Sequence, residues 1–228
     1  IESRVQSVLA KIRSAAEKAG RPASSVRLVA ATKTVPVQKI AEGVQAGLAI
    51  LGENRVQEAL SKIPAFKPGP VQWHFIGQLQ RRKVRSVIGV FDLIHSVDSL
   101  ELAQEIDRRA GDAGHRQDVL LEVNIGNEPT KAGFRPDDVR EVVSEIAHLS
   151  HIRIKGLMAI PPPTSDPASA RPYFRKLAEL AKMIDAQQLP SVKMDELSMG
   201  MSNDYEVAIE EGATLVRVGS AIFGARHV

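Results

Sequence analysis

Apolar positions along the chain fall into two alternating rhythms. A helical spacing comes first: Val5, Val8, Leu9, Ile12, Ala16 and Ala19 line one face, and Gly20 with Pro22 closes the segment. Leu28 to Thr32 then reads as a short buried strand ending at Lys33, and Pro36 opens a helix striped by Val37, Ile40, Ala41 and Val44 that stops at Gly47. The alternation continues with a strand over Leu48–Leu51, a helix through Ile63, a strand over Val71–Ile76 and a basic helix over Gln78–Val87. Phe91–His95 is the fourth strand, and Asp98 with Glu101 forms a capping box for a helix over Ser99–Arg109. The second half repeats this: strands over Val119–Ile125, Ile152–Ile160, Met194–Leu197 and Thr214–Val218, with helices from Pro136, from Ser169 to Ala186 and from Asn203 to Glu211. A short turn of helix follows the last strand. Eight short strands alternating with helices predict an α/β fold, a single (β/α)8 barrel over 1–228 with an additional N-terminal helix. An open doubly wound sheet is the alternative, but the Gly-rich turn it needs after the first strand is absent, since Ala31-Thr32-Lys33-Thr34 stands there.

Composition changes this picture little. The 228 residues, 43% hydrophobic and 25% charged, suit a globular domain with a full core. No linker and no second domain can be read, no apolar run approaches membrane-spanning length, and residues 1–25 carry no signal-peptide pattern. The chain opens on Ile1 rather than Met, so further N-terminal residues are expected. The absence of cysteine excludes disulfides and thiolate metal sites, and the cytoplasm is the expected compartment. A net charge of +3 accommodates anionic ligands without demanding nucleic acid.

In a barrel the strand C-terminal ends converge on one mouth. Here they bring Lys33, Asn54, His74, His95, Asn124, Met158, Ser198 and Arg217 into a polar ring. Lys33 shares a strand face with Val29 and Ala31, where desolvation favours the free amine, the form that attacks a carbonyl. The plainer reading is a strand-end lysine reaching to water. Arg217, between Leu215 and Gly219, needs an acceptor, either an internal carboxylate (Glu53, Glu122 or Glu196) or a ligand. The tail Arg217-Val218-Gly219-Ser220 opens the short terminal helix as the phosphate site of this fold does, although a plain capped turn reads the same way.

Ser202 in Ser198-Met199-Gly200-Met201-Ser202 caps the following helix or binds a phosphate there. His74 and His95 lack metal-ligand spacing and read as hydrogen-bonded mouth residues. The run Arg81-Arg82-Lys83-Val84-Arg85 is a solvated face. With 4% aromatic residues, nucleic-acid stacking is disfavoured.

Taken in order, Leu28–Lys33, Gly52-Glu53-Asn54-Arg55-Val56-Gln57-Glu58, Trp73-His74-Phe75-Ile76-Gly77-Gln78-Leu79-Gln80, Val123-Asn124-Ile125, Lys131-Ala132-Gly133-Phe134, Gly156–Pro161, Leu197–Ser202 and Arg217–Gly224 resemble the YggS/PROSC family of pyridoxal phosphate homeostasis proteins across essentially the whole chain. The resemblance implies a barrel similar to the alanine racemase N-terminal domain. It implies pyridoxal 5′-phosphate as cofactor, with Lys33 as the Schiff-base lysine, Ser202, Gly219 and Ser220 as the phosphate cup, Arg217 by the cofactor ring, and Asn54, His74 and Met199 lining the pocket. Departures from the family pattern are Gln80-Arg81-Arg82-Lys83, where a small polar residue and Asn usually precede the Lys, and Ser220, commonly Thr. The function this implies is buffering or delivery of the cofactor to apoenzymes, by a monomer without robust catalysis, and with no catalytic residues or metal. Lys131 is a second amine for handing the cofactor on. A small amino-acid racemase is the alternative, with Lys33 on one face of the substrate carbon and Tyr205 or His74 as candidates for the other.

Overall fold

The computed structural model describes residues 1–67 and 69–224. Its centre is a closed barrel of eight parallel strands in sequential order: β1 (Arg27–Ala31), β2 (Ile50–Glu53), β3 (Gln72–Phe75), β4 (Leu93–Val97), β5 (Gln117–Glu122), β6 (Ile152–Met158), β7 (Val192–Ser198) and β8 (Leu215–Val218), with β8 pairing back onto β1. The helices are α1 (Glu2–Lys18), α2 (Val37–Gln45), α3 (Val56–Lys62), α4 (Leu100–Asp112), α5 (Val139–Ile146), α6 (Arg171–Asp185), α7 (Tyr205–Glu210) and α8 (Ser220–Phe223). No helix among the described residues is long and apolar enough to cross a membrane.

The period of two in each strand separates two cores. Val29, Ile50, Leu93, Leu120, Met158 and Leu215 fill the barrel interior, while Leu28, Ala30, Leu51, Trp73, Phe75, Ile94 and Val216 pack outward against the helices. Because α8 is a single turn, it leaves the last strand poorly covered on the outside. The N-terminal helix fills that gap, packing Val5, Val8, Ile12 and Ala16 beside α7, α8 and α2. Gly156 marks a point where the ladder cannot tolerate a side chain. Its φ is 151°, the β6–β7 register slips there, and an added Cβ would lie 1.8 Å from the Glu196 carbonyl oxygen.

Several expectations shift: the fourth strand runs two residues later, the fifth and sixth end at Glu122 and Met158, and three further changes have a visible cause. The segment after β3 forms a 3-10 helix over Arg81–Ser86 instead of an α-helix. Val84 and Val87 are its buried anchors, three residues apart as a 3-10 turn requires, and the like charges of Arg81, Arg82 and Arg85 oppose a longer helical face. The second strand runs two residues later than the apolar run suggested, because Glu53 is buried with ionic and hydrogen-bond partners and so behaves as a strand residue. The cap of α4 is Ser99, whose hydroxyl accepts the Leu102 N–H, rather than Asp98.

Candidate functional site

A cavity of about 1030 Å³ opens at the C-terminal end of the strands. Of the residues singled out from sequence, Lys33, Asn54, Ser202, Arg217, Gly219 and Ser220 all line it, with Lys131 at its rim. Each arrives for a local reason. Lys33 follows the end of β1 in a turn where Thr34 takes a left-handed φ of 63°. Asn54 leaves β2 where Gly77 allows close approach, since a Cβ on Gly77 would meet the Asn54 carbonyl oxygen at 2.3 Å. Ser202 and Gly219 come from the loops after β7 and β8 and are tied together, the Gly219 N–H donating to Ser202 Oγ at 3.4 Å. Ser202 does not cap the next helix; α7 begins later, behind Asp204. Lys131 pairs with Glu128 at 2.7 Å, in a loop braced by Asn124, whose side-chain amide donates to the Glu128 and Lys131 carbonyls.

His74 and Met199 do not line the cavity. Met199 packs wholly within the outer core. His74 lies inside the barrel, one step below the mouth, at the end of a buried polar chain that also includes His95 and Ser198. Arg217 closes that chain at its other end, and only as a donor, because a guanidinium has no acceptor. It donates to Ser198 Oγ and, at 3.0 Å, to the Ala159 carbonyl. Ser198 Oγ lies 2.8 Å from His95 Nδ1, and His95 Nε2 lies 2.9 Å from His74 Nδ1, one proton lying in each contact. Both imidazoles are held neutral. Burial, then the Arg27 charge, lowers His74 to about 3, and burial, His74 and the two arginines hold His95 well below its ordinary value. Burial also lowers Arg217, to about 10, which leaves it cationic at neutral pH.

Sequence reading missed most of the cavity wall. The Pro161-Pro162-Pro163-Thr164-Ser165 loop forms one side, and Ala31, Ile76, Ile160 and Phe223 supply apolar surface. Glu122, under the mouth on β5, is raised to about 7 by burial and by Asp98 against the pull of Arg217. Among the described residues no cluster of His, Asp or Glu is arranged to hold a metal ion.

The geometry offers an amine, a fixed cation, two hydroxyls with a backbone N–H, and apolar walls, a set suited to a small anion bearing a carbonyl and a flat ring. Among described residues, Asn54 Oδ1 is buried in this wall without a hydrogen-bond partner, which leaves an acceptor for a bound molecule. Comparison with known proteins agrees in kind. Residues 4–227 match the family model described as alanine racemase, N-terminal domain. A pyridoxal phosphate homeostasis protein of Aquifex aeolicus is 48% identical over 223 residues, covering 98% of this chain and 97% of that one. Among solved structures, a protein of unknown function from Bifidobacterium adolescentis superposes with a TM-score of 0.91 at 40% identity, covering 97% of this chain and 94% of that one. PipY of Synechococcus elongatus, solved with pyridoxal phosphate bound, superposes with a TM-score of 0.81 at 39% identity, covering 88% and 93%.

Proposed function

The chain belongs to the alanine racemase N-terminal domain family, and from that premise we propose that it is a pyridoxal 5′-phosphate-binding protein of cofactor homeostasis, holding its ligand as a Schiff base on Lys33. The observation that carries this reading is the convergence of Lys33, Asn54, Ser202, Arg217, Gly219 and Ser220 on one cavity. The cofactor combines an aldehyde, a phosphate and a pyridine ring, and the cavity wall answers each feature. Lys33 supplies the amine, and Schiff-base formation releases the aldehyde oxygen as water. Ser202 and Ser220 hydroxyls and the Gly219 backbone would hold the phosphate, Arg217 would face the ring, and Asn54 Oδ1 would accept a hydrogen bond from the ligand.

Bound pyridoxal phosphate supplies a reversible carbonyl and an electron sink. A cation beside the ring disfavours a second charge on the pyridine nitrogen, and an unprotonated pyridine is a weak sink. Racemisation also needs an acid or base on each face of the substrate carbon. Neither candidate partner of Lys33 lines the cavity: His74 is held neutral inside the barrel, and Tyr205 is buried on α7 toward α1. Holding and releasing the cofactor, to the benefit of apoenzymes that need it, is therefore favoured over turnover. Titrating the ligand-free protein with pyridoxal phosphate tests this. Once unbound ligand is removed, the wild type should retain a yellow chromophore that saturates with added ligand, and Lys33→Ala should retain none; an identical spectrum from the variant would refute the assignment of Lys33.

A further inference from the structure

Behind the Lys33 turn, on the helix side of β1 and β2, lies a second lysine whose surroundings the cofactor reading does not use. Lys62 follows Glu58 by four residues on α3, a spacing that on a helix surface contributes little to stability. This pair is only partly open to water: Lys62 is 6% exposed, the Glu58 side chain is 22% exposed, and Glu53, which joins them, is fully buried. An ammonium has three donors, and all three are used. Lys62 Nζ donates to Glu58 Oε1 and to the Thr32 carbonyl, each at 2.7 Å, and to Glu53 Oε1 at 2.8 Å. The carboxylates reach onward to the same short stretch of chain. Glu53 Oε1 accepts the Thr32 hydroxyl at 2.6 Å, and Glu58 Oε1 accepts the Thr34 backbone N–H at 2.5 Å.

The network thus grips the chain on both sides of Lys33 without lining the cavity that Lys33 enters. What it grips is strained. Thr34 is β-branched and sits at φ 63°, a conformation such residues avoid. A buried ionic cluster is a poor way to gain stability, because desolvating the charges offsets much of their attraction. It is a good way to impose one backbone geometry.

We propose that Glu53, Glu58 and Lys62 are positioning residues: a clamp that holds Thr32-Lys33-Thr34 in the strained turn that presents the Lys33 amine to the aldehyde of a phosphate-anchored ligand. The inference rests on the reading of Lys33 as the Schiff-base lysine. Its consequence is kinetic, since a nucleophile released from its turn reacts more slowly while the rest of the site still binds.

The test compares full-length wild type, Glu58→Ala, Glu58→Gln and the double variant Glu58→Ala/Thr34→Gly. Each is measured for its rate of borohydride-trappable adduct formation with pyridoxal phosphate. Each is also measured for its affinity for pyridoxine 5′-phosphate, which carries the same phosphate and ring but no aldehyde. Glu58→Ala should slow adduct formation by about tenfold while pyridoxine 5′-phosphate affinity changes by less than about twofold. Glu58→Gln keeps an oxygen for the Thr34 N–H and should stay within about threefold of wild type. Thr34→Gly, which enters the left-handed region without strain, should restore part of the rate lost in Glu58→Ala. A wild-type rate for Glu58→Ala, an equal fall in both readouts, or a Glu58→Gln rate as low as that of the alanine variant would overturn the clamp. A wild type that forms no adduct would bring down the Lys33 assignment itself, and the clamp with it.

Discussion

At the scale of single residues, the site depends on Arg217 being held by neutral partners. Ser198 stands between two groups that need it, accepting from Arg217 and hydrogen-bonded to His95 Nδ1. Ser198→Ala should therefore destabilise the protein by about 1–3 kcal/mol in urea denaturation, more than the loss of one hydroxyl at the surface, because it orphans two buried partners. The histidines make stability pH-dependent with a defined sign. A group whose pKa is depressed by folding contributes stability above its unfolded value and loses it as pH falls, so His74, lowered from 6.5 to about 3, opposes folding progressively through that window. Glu122 acts the other way, its pKa raised from 4.5 to about 7, so its contribution is lost as pH rises between those values. The two oppose one another between 4.5 and 6.5, and below 4.5 the histidine effect stands without that opposition. Unfolding free energy should fall with acidification most steeply there. His74→Gln should reduce the slope by up to about 1.4 kcal/mol per pH unit, as urea titrations at successive pH values would reveal. Lys33, Asn54, Arg217 and Gly219 were legible because strand-end position and residue chemistry are both written in the chain. His74 and Met199 were not placed, because one step along a strand or loop separates the mouth from the layer beneath, and sequence boundaries are not that fine. The clamp was invisible for another reason: Glu58 and Lys62 at helical spacing look like any solvated pair until barrel closure buries them against Glu53.

At the scale of elements, the strand rhythm identified every barrel strand, and the departures have local causes. Charged side chains on the strand ends were the weak point, because a strand that ends in a buried carboxylate, as β2 does in Glu53, has no apolar signature there. The 3-10 segment after β3 and the α1 helix beside α8 follow from which residues can be buried, a tertiary fact. Gly156 gives the most direct element-scale prediction. Gly156→Ala places a Cβ within 1.8 Å of a carbonyl oxygen on β7, at a φ alanine avoids, so it should destabilise the protein by about 3 kcal/mol and lower the thermal midpoint.

For the whole molecule, the central claim is that closing the barrel brings β1 and β8 side by side and so sets Lys33 in one cavity with Ser202, Gly219 and Ser220, the residues proposed to hold a phosphate. Carrier and catalyst share that arrangement and differ in what else reaches the cavity. Incubation of the cofactor-loaded protein with L-alanine in deuterated water should leave the Cα proton in place; enzymatic incorporation of deuterium would establish a racemase instead. The claim itself is met most directly by reducing the pyridoxal phosphate-loaded protein with borohydride and mapping the labelled peptide. The account predicts one pyridoxyl group, on Lys33; a label on Lys131, on Lys62 or on no lysine would contradict it.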